Sequence, residues 1–407
     1  MIDTMRPIRE TIPLAEALGL LLEAAVPIER RETVPLDAAA GRVIAAPPVA
    51  SVDVPSFDRA AMDGFAVRAE DTFGAGRHDP RTLEIVGKIL TGQIPTRSIA
   101  AAQCVEIATG APMPAGADAV VMVEETEHIA GTNQVRIFTP VYPRQNVGRR
   151  GADIEAGQRT LKAGEQLTPG RLGALAAIGA PDIEVFAKPE VAILSTGNEI
   201  AAPGQPLEPG QVYDINRYTL SSIVGAHGGV PVSLPSTADT IDALTAALDR
   251  ALAHDVVVFS GGSSVGEHDL IMDLIMRRGD IVFHGVAVKP GKPTLFGRID
   301  GKPVLGMPGY PTSCLSNGYM LLMPMLRKIA RLPEFRPQIA RVPLSRRIVS
   351  TTGRHQFYTV RLVDGEAQPA FKGSGDITSM ALADGYLEIP AHVDIVEAGE
   401  LVDVKLF

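Results

Sequence analysis

Three stretches of this chain are apolar without interruption: VAILSTG (residues 191–197), DVVVFSGG (255–262) and PVLGMPG (303–309). A strand with one wet face alternates apolar and polar residues. A strand without alternation is covered on both faces, as in parallel sheets sandwiched by helices. Between the first two runs, DALTAALDRALA (242–253) sets Leu244, Leu248 and Leu252 on one helical face. Strands alternating with helices predict a doubly wound α/β domain over 189–330, with a parallel sheet.

With 407 residues the chain is too long for one ordinary domain. PLAEALGLLLEAA (13–25) predicts a helix in which Leu14, Leu18, Leu21 and Leu22 share a face, and LDAAAG (36–41) one more helical turn closed by Gly41. From residue 53, LEIVGKIL, QCVEIATG, DAVVMVEETEHI and QVRIFTPV read as strands, with GTN (131–133) as a turn. Helix returns at TPGRLGALAAIGA, with Thr168 as N-cap and Pro169 in the first turn. The expected domains are a discontinuous helical piece (1–52 and 144–188), an inserted β domain (53–143), the α/β domain (189–330) and a C-terminal β domain (335–407).

A formal charge of −9 with no long basic run argues against a nucleic-acid footprint. The absence of tryptophan and an aromatic content of 5% weaken any case for stacking on exposed bases. Cys104 and Cys314 make neither a disulfide framework nor a metal spacing. The first residues lack the apolar centre of a signal peptide, and YMLLMPML is too short to span a bilayer. A reduced, soluble, cytoplasmic protein with no membrane partner is expected.

Ligands of an open α/β sheet bind beyond the C-terminal ends of its strands. Here those ends read STGNE (195–199), SGGSSVGEHD (260–269) and GMPGYPTS (306–313). Ser195, Thr196, Gly197, Gly261, Gly262, Ser263, Pro308, Gly309 and Pro311 form a rim suited to phosphate, because small residues let backbone N–H groups approach. A plain strand-to-helix turn explains SGGSSVG equally well. Glu199, Glu267, Asp269 and Asp239 share this edge. Carboxylates beside phosphate repel it unless a cation intervenes, and Mg²⁺ takes one or two carboxylates with phosphate oxygens. For Asp239, before TIDAL, helix capping is the alternative.

The turn HGVAVKPGKPTLFG (284–297) sets Lys289 and Lys292 three apart, each before a proline. A stiff backbone loses little entropy when an anion binds, and two ammoniums repel unless something negative lies between them. Elsewhere such a turn is simply solvated. In the first half, Asp58, Asp63, Arg149, Arg150 and Asp153 sit in Gly/Pro-punctuated segments that are either satisfied turns or parts of a site. The histidines are scattered; His227, His268 and His284 lack metal spacing and read as structural.

Taken together and in order, VPSFDRAAMDGFAVR, ATGAPMPAGADAVVMVEET, RRGADI, LSTGNEI, VYDINRYTL, SGGSSVGEHD, VKPGKP and GMPGYPTS resemble the molybdopterin molybdenumtransferases of the MoeA type, an architecture shared with the C-terminal part of the animal scaffold protein gephyrin. The resemblance implies an α/β molybdopterin-binding domain, an inserted β domain and a C-terminal β-barrel-like domain. It also implies a homodimer whose cleft joins the α/β domain of one subunit to the N-terminal domains of the other. The implied reaction inserts molybdate into adenylylated molybdopterin with release of AMP and with Mg²⁺ assisting. By the same resemblance Lys289, Lys292, Pro293, Ser313, Arg354 and Ser374 bind molybdate. Asp63, Thr109, Asp153, Glu199, Asp239 and Asp269 line the catalytic cleft, with Mg²⁺ near Glu199, Asp239 or Asp269, and the rim receives the pterin and its phosphate. Further implied partners are the molybdopterin adenylyltransferase and acceptor molybdoenzymes or their chaperones.

Three positions depart from the family pattern: Tyr310 stands where asparagine is common, Ser263 where valine is, and Asn198 where aspartate is. Tyr310 puts a phenol beside the expected oxoanion pocket. A non-catalytic cofactor carrier or scaffold is the alternative these departures motivate. The adenylylating enzyme of the preceding step is a third reading, disfavoured by the extra domains.

Overall fold

The computed structural model describes residues 10–238, 240–261 and 270–407. The chain forms two compact units, Thr33–Ala40 with Ile44–Glu184, and Met1–Glu32 with Gly41–Val43 and Val185–Phe407.

The smaller unit is built on a six-stranded sheet in the order Ala119–Met122, Gly64–Val67, Gln103–Ile107, Arg81–Ile89, Gln134–Ile137, Thr126–His128. Both faces are covered: Phe65, Val67, Leu83 and Val121 pack on one side, Ala66, Val105, Ile107 and Val120 on the other. The predicted helix after Thr168 forms as Pro169–Ala177 in this unit. LDAAAG makes only a 3₁₀ turn, Leu36–Ala38, before Gly41 at φ +72°.

The larger unit carries the α/β sheet. Its elements are α1 (Leu14–Ala24), β1 (Glu190–Ser195), α2 (Asn216–Ala226), β2 (Val230–Ser233), α3 (Ile241–Ala251), β3 (Val256–Ser260), α4 (Leu270–Arg278), β4 (Gly279–His284), β5 (Val288–Lys289), β6 (Leu295–Ile299), β7 (Lys302–Met307), α5 (Pro311–Asn317) and α6 (Met323–Ile329). The sheet runs β2-β1-β3-β7-β6-β4. The first four strands are parallel, as the apolar runs predict, whereas β6 and β4 pair antiparallel. A sheet edge can reverse direction without changing the burial of its residues, so the apolar pattern did not disclose the reversal.

Every residue of β3 is buried. One face of the sheet meets Leu244, Leu248 and Ile275 from α3 and α4; the other meets Val224, Leu321 and Leu326. α1 joins that second face through Ala17 and Leu21, with Leu14, Leu20 and Ala24 beside them, so the inward stripe keeps Leu14 and Leu21 of the predicted face and is centred on Ala17 and Leu21. α1 and the helix Pro169–Ala177 thus belong to different units, although a single helical piece was expected to hold both. Pro324 has no N–H to donate, and the helix widens into a π turn over Gly318–Leu322 just before it.

The C-terminal segment adds β8 (Ile339–Pro343), β9 (His355–Val363), β10 (Gly385–Ile389) and β11 (Leu401–Leu406), in the sheet order β5-β9-β10-β11-β8. Strand β5, from the lysine turn, is thereby hydrogen-bonded to this second sheet. Among the described residues, no helix is long and apolar enough to cross a membrane.

Leu21 is fully buried in the core shared with β1 and α6. Leu21→Ala is expected to cost about 2–5 kcal/mol of stability through the lost transfer energy and the cavity left behind. Denaturant unfolding of the purified variant measures it; a loss below about 1 kcal/mol would contradict this packing.

Candidate functional site

In the sheet order β2-β1-β3, the chain leaves β1 for the β2 edge and returns to β3 on the other side of β1. Such a reversal opens a crevice at the C-terminal ends of the strands. A cavity of about 1070 Å³ lies at these ends. Ser195 and Thr196 enter it from β1, Ser260 and Gly261 from β3, and Pro308, Gly309, Tyr310 and Pro311 from the segment after β7.

The lysine turn forms another wall: Lys289, Pro290, Gly291, Lys292 and Pro293 all line the cavity. Its conformation is imposed by buried polar groups. Gly291 has φ +107°, and a Cβ there would stand 2.5 Å from the Asn317 amide. Asn317 Nδ2 donates to the Gly291 carbonyl at 2.8 Å and also to Thr294 Oγ1. The Thr294 hydroxyl in turn donates to the same carbonyl at 2.9 Å. Asn317 and Thr294 are both fully buried.

The other end of the turn is stitched to β9. Val288 pairs in parallel with His355 and Lys289 with Gln356, and the His355 amide donates to the Ala287 carbonyl at 2.8 Å. Lys289 Nζ donates to Thr351 Oγ1 at 2.6 Å. Both lysines are half-buried. The pairing brings Arg354, one residue before β9, onto the same cavity.

Helix α5 starts at the rim with Pro311 in its first turn. Ser313, 4% exposed, lies in that turn and lines the cavity. Ser374 arrives from the C-terminal segment, whose backbone is clamped to the same helix start: the Thr312 amide donates to the Ser374 carbonyl at 3.0 Å and Thr312 Oγ1 to the Asp376 carbonyl at 3.0 Å. Lys289, Lys292, Pro293, Ser313, Arg354 and Ser374, named separately from the sequence, thus line one cavity.

Glycines open the rim. Gly261 has φ +98°, and a Cβ there would stand 2.5 Å from the Thr196 carbonyl. Gly197 has φ +137° and lies under the Glu199 carboxylate, which lines the cavity while remaining exposed. Gly262, Ser263, Asp239 and Asp269 lie outside the described residues. The cap of α3 is Thr240, whose Oγ1 accepts from the Ala243 amide at 3.4 Å.

Among the lining residues not singled out from the sequence are Asp214 and Asn216, inside the quoted motif VYDINRYTL, and Phe371 and Lys372. Asp214 Oδ1 accepts from the Arg217 amide at 3.0 Å at the start of α2. Asn216 Nδ2 donates to the Gly309 carbonyl at 2.7 Å, holding the rim from below. Phe371 and Lys372 complete the C-terminal wall. The buried atoms Ser195 Oγ, Thr196 Oγ1 and Asn216 Oδ1 have no hydrogen-bond partner among the described residues. Leaving such buried polar atoms unpaired is costly. Cys314 lies behind Ser260, with its sulfur 3.9 Å from the hydroxyl. Burial pushes its thiol up to about 12, which makes it packing and not a nucleophile.

Asp63, Thr109 and Asp153 belong to the smaller unit and do not line this cavity. Asp63 Oδ1 accepts from the Thr109 amide at 2.7 Å, and hydrogen bonds from Thr109 hold its carboxyl below the ordinary value. Asp153 lines a second cavity of about 470 Å³ beside the helix Pro169–Ala177. Among the described residues, no group of three or more His, Cys, Asp or Glu side chains is arranged to hold a metal ion.

Three family models match the chain. They are the MoeA N-terminal region (domain I and II) over residues 12–179, a probable molybdopterin binding domain over 192–328, and the MoeA C-terminal region (domain IV) over 341–407. Molybdopterin molybdenumtransferase 2 of Mycobacterium tuberculosis is 36% identical over 384 residues, covering 91% of this chain and 94% of its own length. The molybdopterin molybdenumtransferase of Nostoc sp. is 34% identical over 382 residues, covering 91% and 87%. A crystal structure of a molybdopterin biosynthesis MoeA protein from Pyrococcus horikoshii has a TM-score of 0.82 and 40% identity, covering 98% of this chain and 99% of that one.

Asn317→Ala removes the amide that donates to both the Gly291 carbonyl and Thr294 Oγ1. It is expected to destabilise the protein by about 1–3 kcal/mol and to weaken binding of a tetrahedral oxoanion about tenfold. Calorimetric titration with molybdate, beside thermal unfolding, reads both. Unchanged affinity in a folded variant would show that Asn317 does not organise the turn.

Proposed function

The chain belongs to the MoeA family of molybdopterin molybdenumtransferases, enzymes of molybdenum cofactor biosynthesis, and we propose that its cavity inserts molybdate into adenylylated molybdopterin and releases AMP. The observation that carries this reading is the convergence of Lys289, Lys292, Ser313, Arg354 and Ser374 on one cavity that Ser195 and Thr196 also line.

Lys289, Lys292 and Arg354 supply positive charge for the doubly charged oxoanion, and Ser313 and Ser374 supply hydroxyl donors. Charge-assisted hydrogen bonds of this kind are about twice as strong as neutral ones. Ser195, Thr196, Gly261, Pro308, Gly309 and Pro311 form the phosphate side of the cavity, with Asn216 holding the Gly309 carbonyl in place. In the insertion, the two thiols of the pterin dithiol replace one molybdate oxygen, which leaves as water with the two thiol protons. Water then cleaves the phosphoanhydride, giving AMP and the phosphate monoester of the cofactor. Molybdenum keeps its oxidation state throughout.

Mg²⁺ is the cofactor of this reading. Glu199 and Asp214 offer hard carboxylate oxygens on the cavity wall, the donor chemistry Mg²⁺ prefers. When bound, it neutralises phosphate charge and stabilises the leaving oxygen. Asp239 and Asp269 are the further candidates for holding it. A homodimer belongs to the same proposal; its mass in solution would be twice the 43.0 kDa of the chain.

With adenylylated molybdopterin, Mg²⁺ and molybdate, the purified protein is expected to release AMP in a molybdate-dependent manner. Lys289→Ala and Lys292→Ala each remove a charged donor worth about 1.5–3 kcal/mol and should raise the half-maximal molybdate concentration at least about tenfold. Pterin binding without AMP release would favour a carrier over an enzyme. An unchanged molybdate requirement in both variants would remove the lysines from the oxoanion site.

A further inference from the structure

Only 5% of this chain is aromatic, and it has no tryptophan. Even so, Tyr213, Tyr310 and Phe371 all line the cavity. Tyr310 is the most exposed of them, with 66% of its surface open. Exposed aromatic rings on loops usually accompany a free backbone; this one does not. Asn216 holds the preceding Gly309 carbonyl, the Cys314 amide donates to the Tyr310 carbonyl at 2.9 Å, and Pro311 follows directly. The facing segment is tied to the same helix start through Thr312. Tyr310 Cδ1 lies 3.9 Å from where a Cβ on Gly375 would stand, so the ring rests beside that segment. Phe371, half-buried, is fixed against Tyr358 with ring centroids 5.4 Å apart.

We propose that Tyr310, with Phe371, forms a stacking wall for a planar heteroaromatic ring of the bound ligand, making Tyr310 a specificity-determining residue. Its apolar face is already exposed on a fixed backbone, so a flat ring gains contact with little loss of conformational freedom. Stacking tolerates any π face and does not depend on the phenol hydroxyl. The inference rests on reading the cavity as a site for an adenylylated pterin. That substrate carries two such rings, adenine and pterin, and the chemistry of the wall is shared by both.

The test is a set of binding titrations of the full-length protein with AMP, with ribose 5-phosphate, which lacks the base, and with 6-carboxypterin. The proteins compared are the unaltered chain, Tyr310→Asn and Tyr310→Phe. The unaltered protein should bind AMP at least about tenfold more tightly than ribose 5-phosphate, the scale of one stacked base. Tyr310→Asn should shrink that gap to within about threefold by weakening AMP alone, and Tyr310→Phe should keep it. If Tyr310→Asn weakens 6-carboxypterin instead, the ring on the wall is the pterin and the stacking role stands. If Tyr310→Asn lowers neither affinity while its molybdate binding shows it is folded, or if Tyr310→Phe is as damaged as Tyr310→Asn, the stacking wall is overturned. These readouts do not need turnover: AMP release without ring discrimination defeats the wall alone, and ring discrimination without AMP release defeats the insertion reading alone.

Discussion

The site depends on one buried amide. Asn317, at the end of α5, reaches the carbonyl of Gly291 and the hydroxyl of Thr294. It occupies the space that a Cβ on residue 291 would need. The two ammoniums on either side of Gly291 repel one another, and a free turn would relieve that by swinging them apart. Here the backbone between them is clamped from beneath by Asn317 and from the side by β9. The cost of ordering the turn is met during folding, so an anion entering the cavity would meet a backbone that is already set.

The two sheets share the work of building the cavity. The parallel strands β1, β3 and β7 deliver small residues to the cavity wall. The C-terminal sheet pairs with β5 and carries Arg354 and the Ser374 segment to the same place. The net charge of −9 is compatible with this, because Lys289, Lys292 and Arg354 all line one cavity. Such a grouping suits a small oxoanion better than a polymer.

Much of this was legible in the sequence. Unbroken apolar runs identified β1, β3 and β7 and the edge where the cavity opens, and prolines around Lys289 and Lys292 marked a stiff cationic turn. The family resemblance connected Ser313, Arg354 and Ser374 to that turn; spacing alone did not, since Arg354 reaches it through the β5–β9 pairing. Asn317 was invisible because its role is tertiary: its partners Gly291 and Thr294 lie far back in the chain, in the lysine turn. Asn216 escaped for the same reason. The antiparallel edge β6–β4 was hidden because burial, not direction, shapes its residue pattern. The scarcity of aromatic residues argued against stacking as a composition, yet where the few aromatics lie matters more than their number.

The most direct measurement is anomalous scattering from a crystal soaked with molybdate and AMP. The metal is expected in the cavity between Lys289 and Lys292 on one side and Ser313, Arg354 and Ser374 on the other, with the nucleotide phosphate against Ser195 and Thr196. A molybdenum peak elsewhere, with the two ammoniums turned away from the cavity, would contradict the oxoanion site.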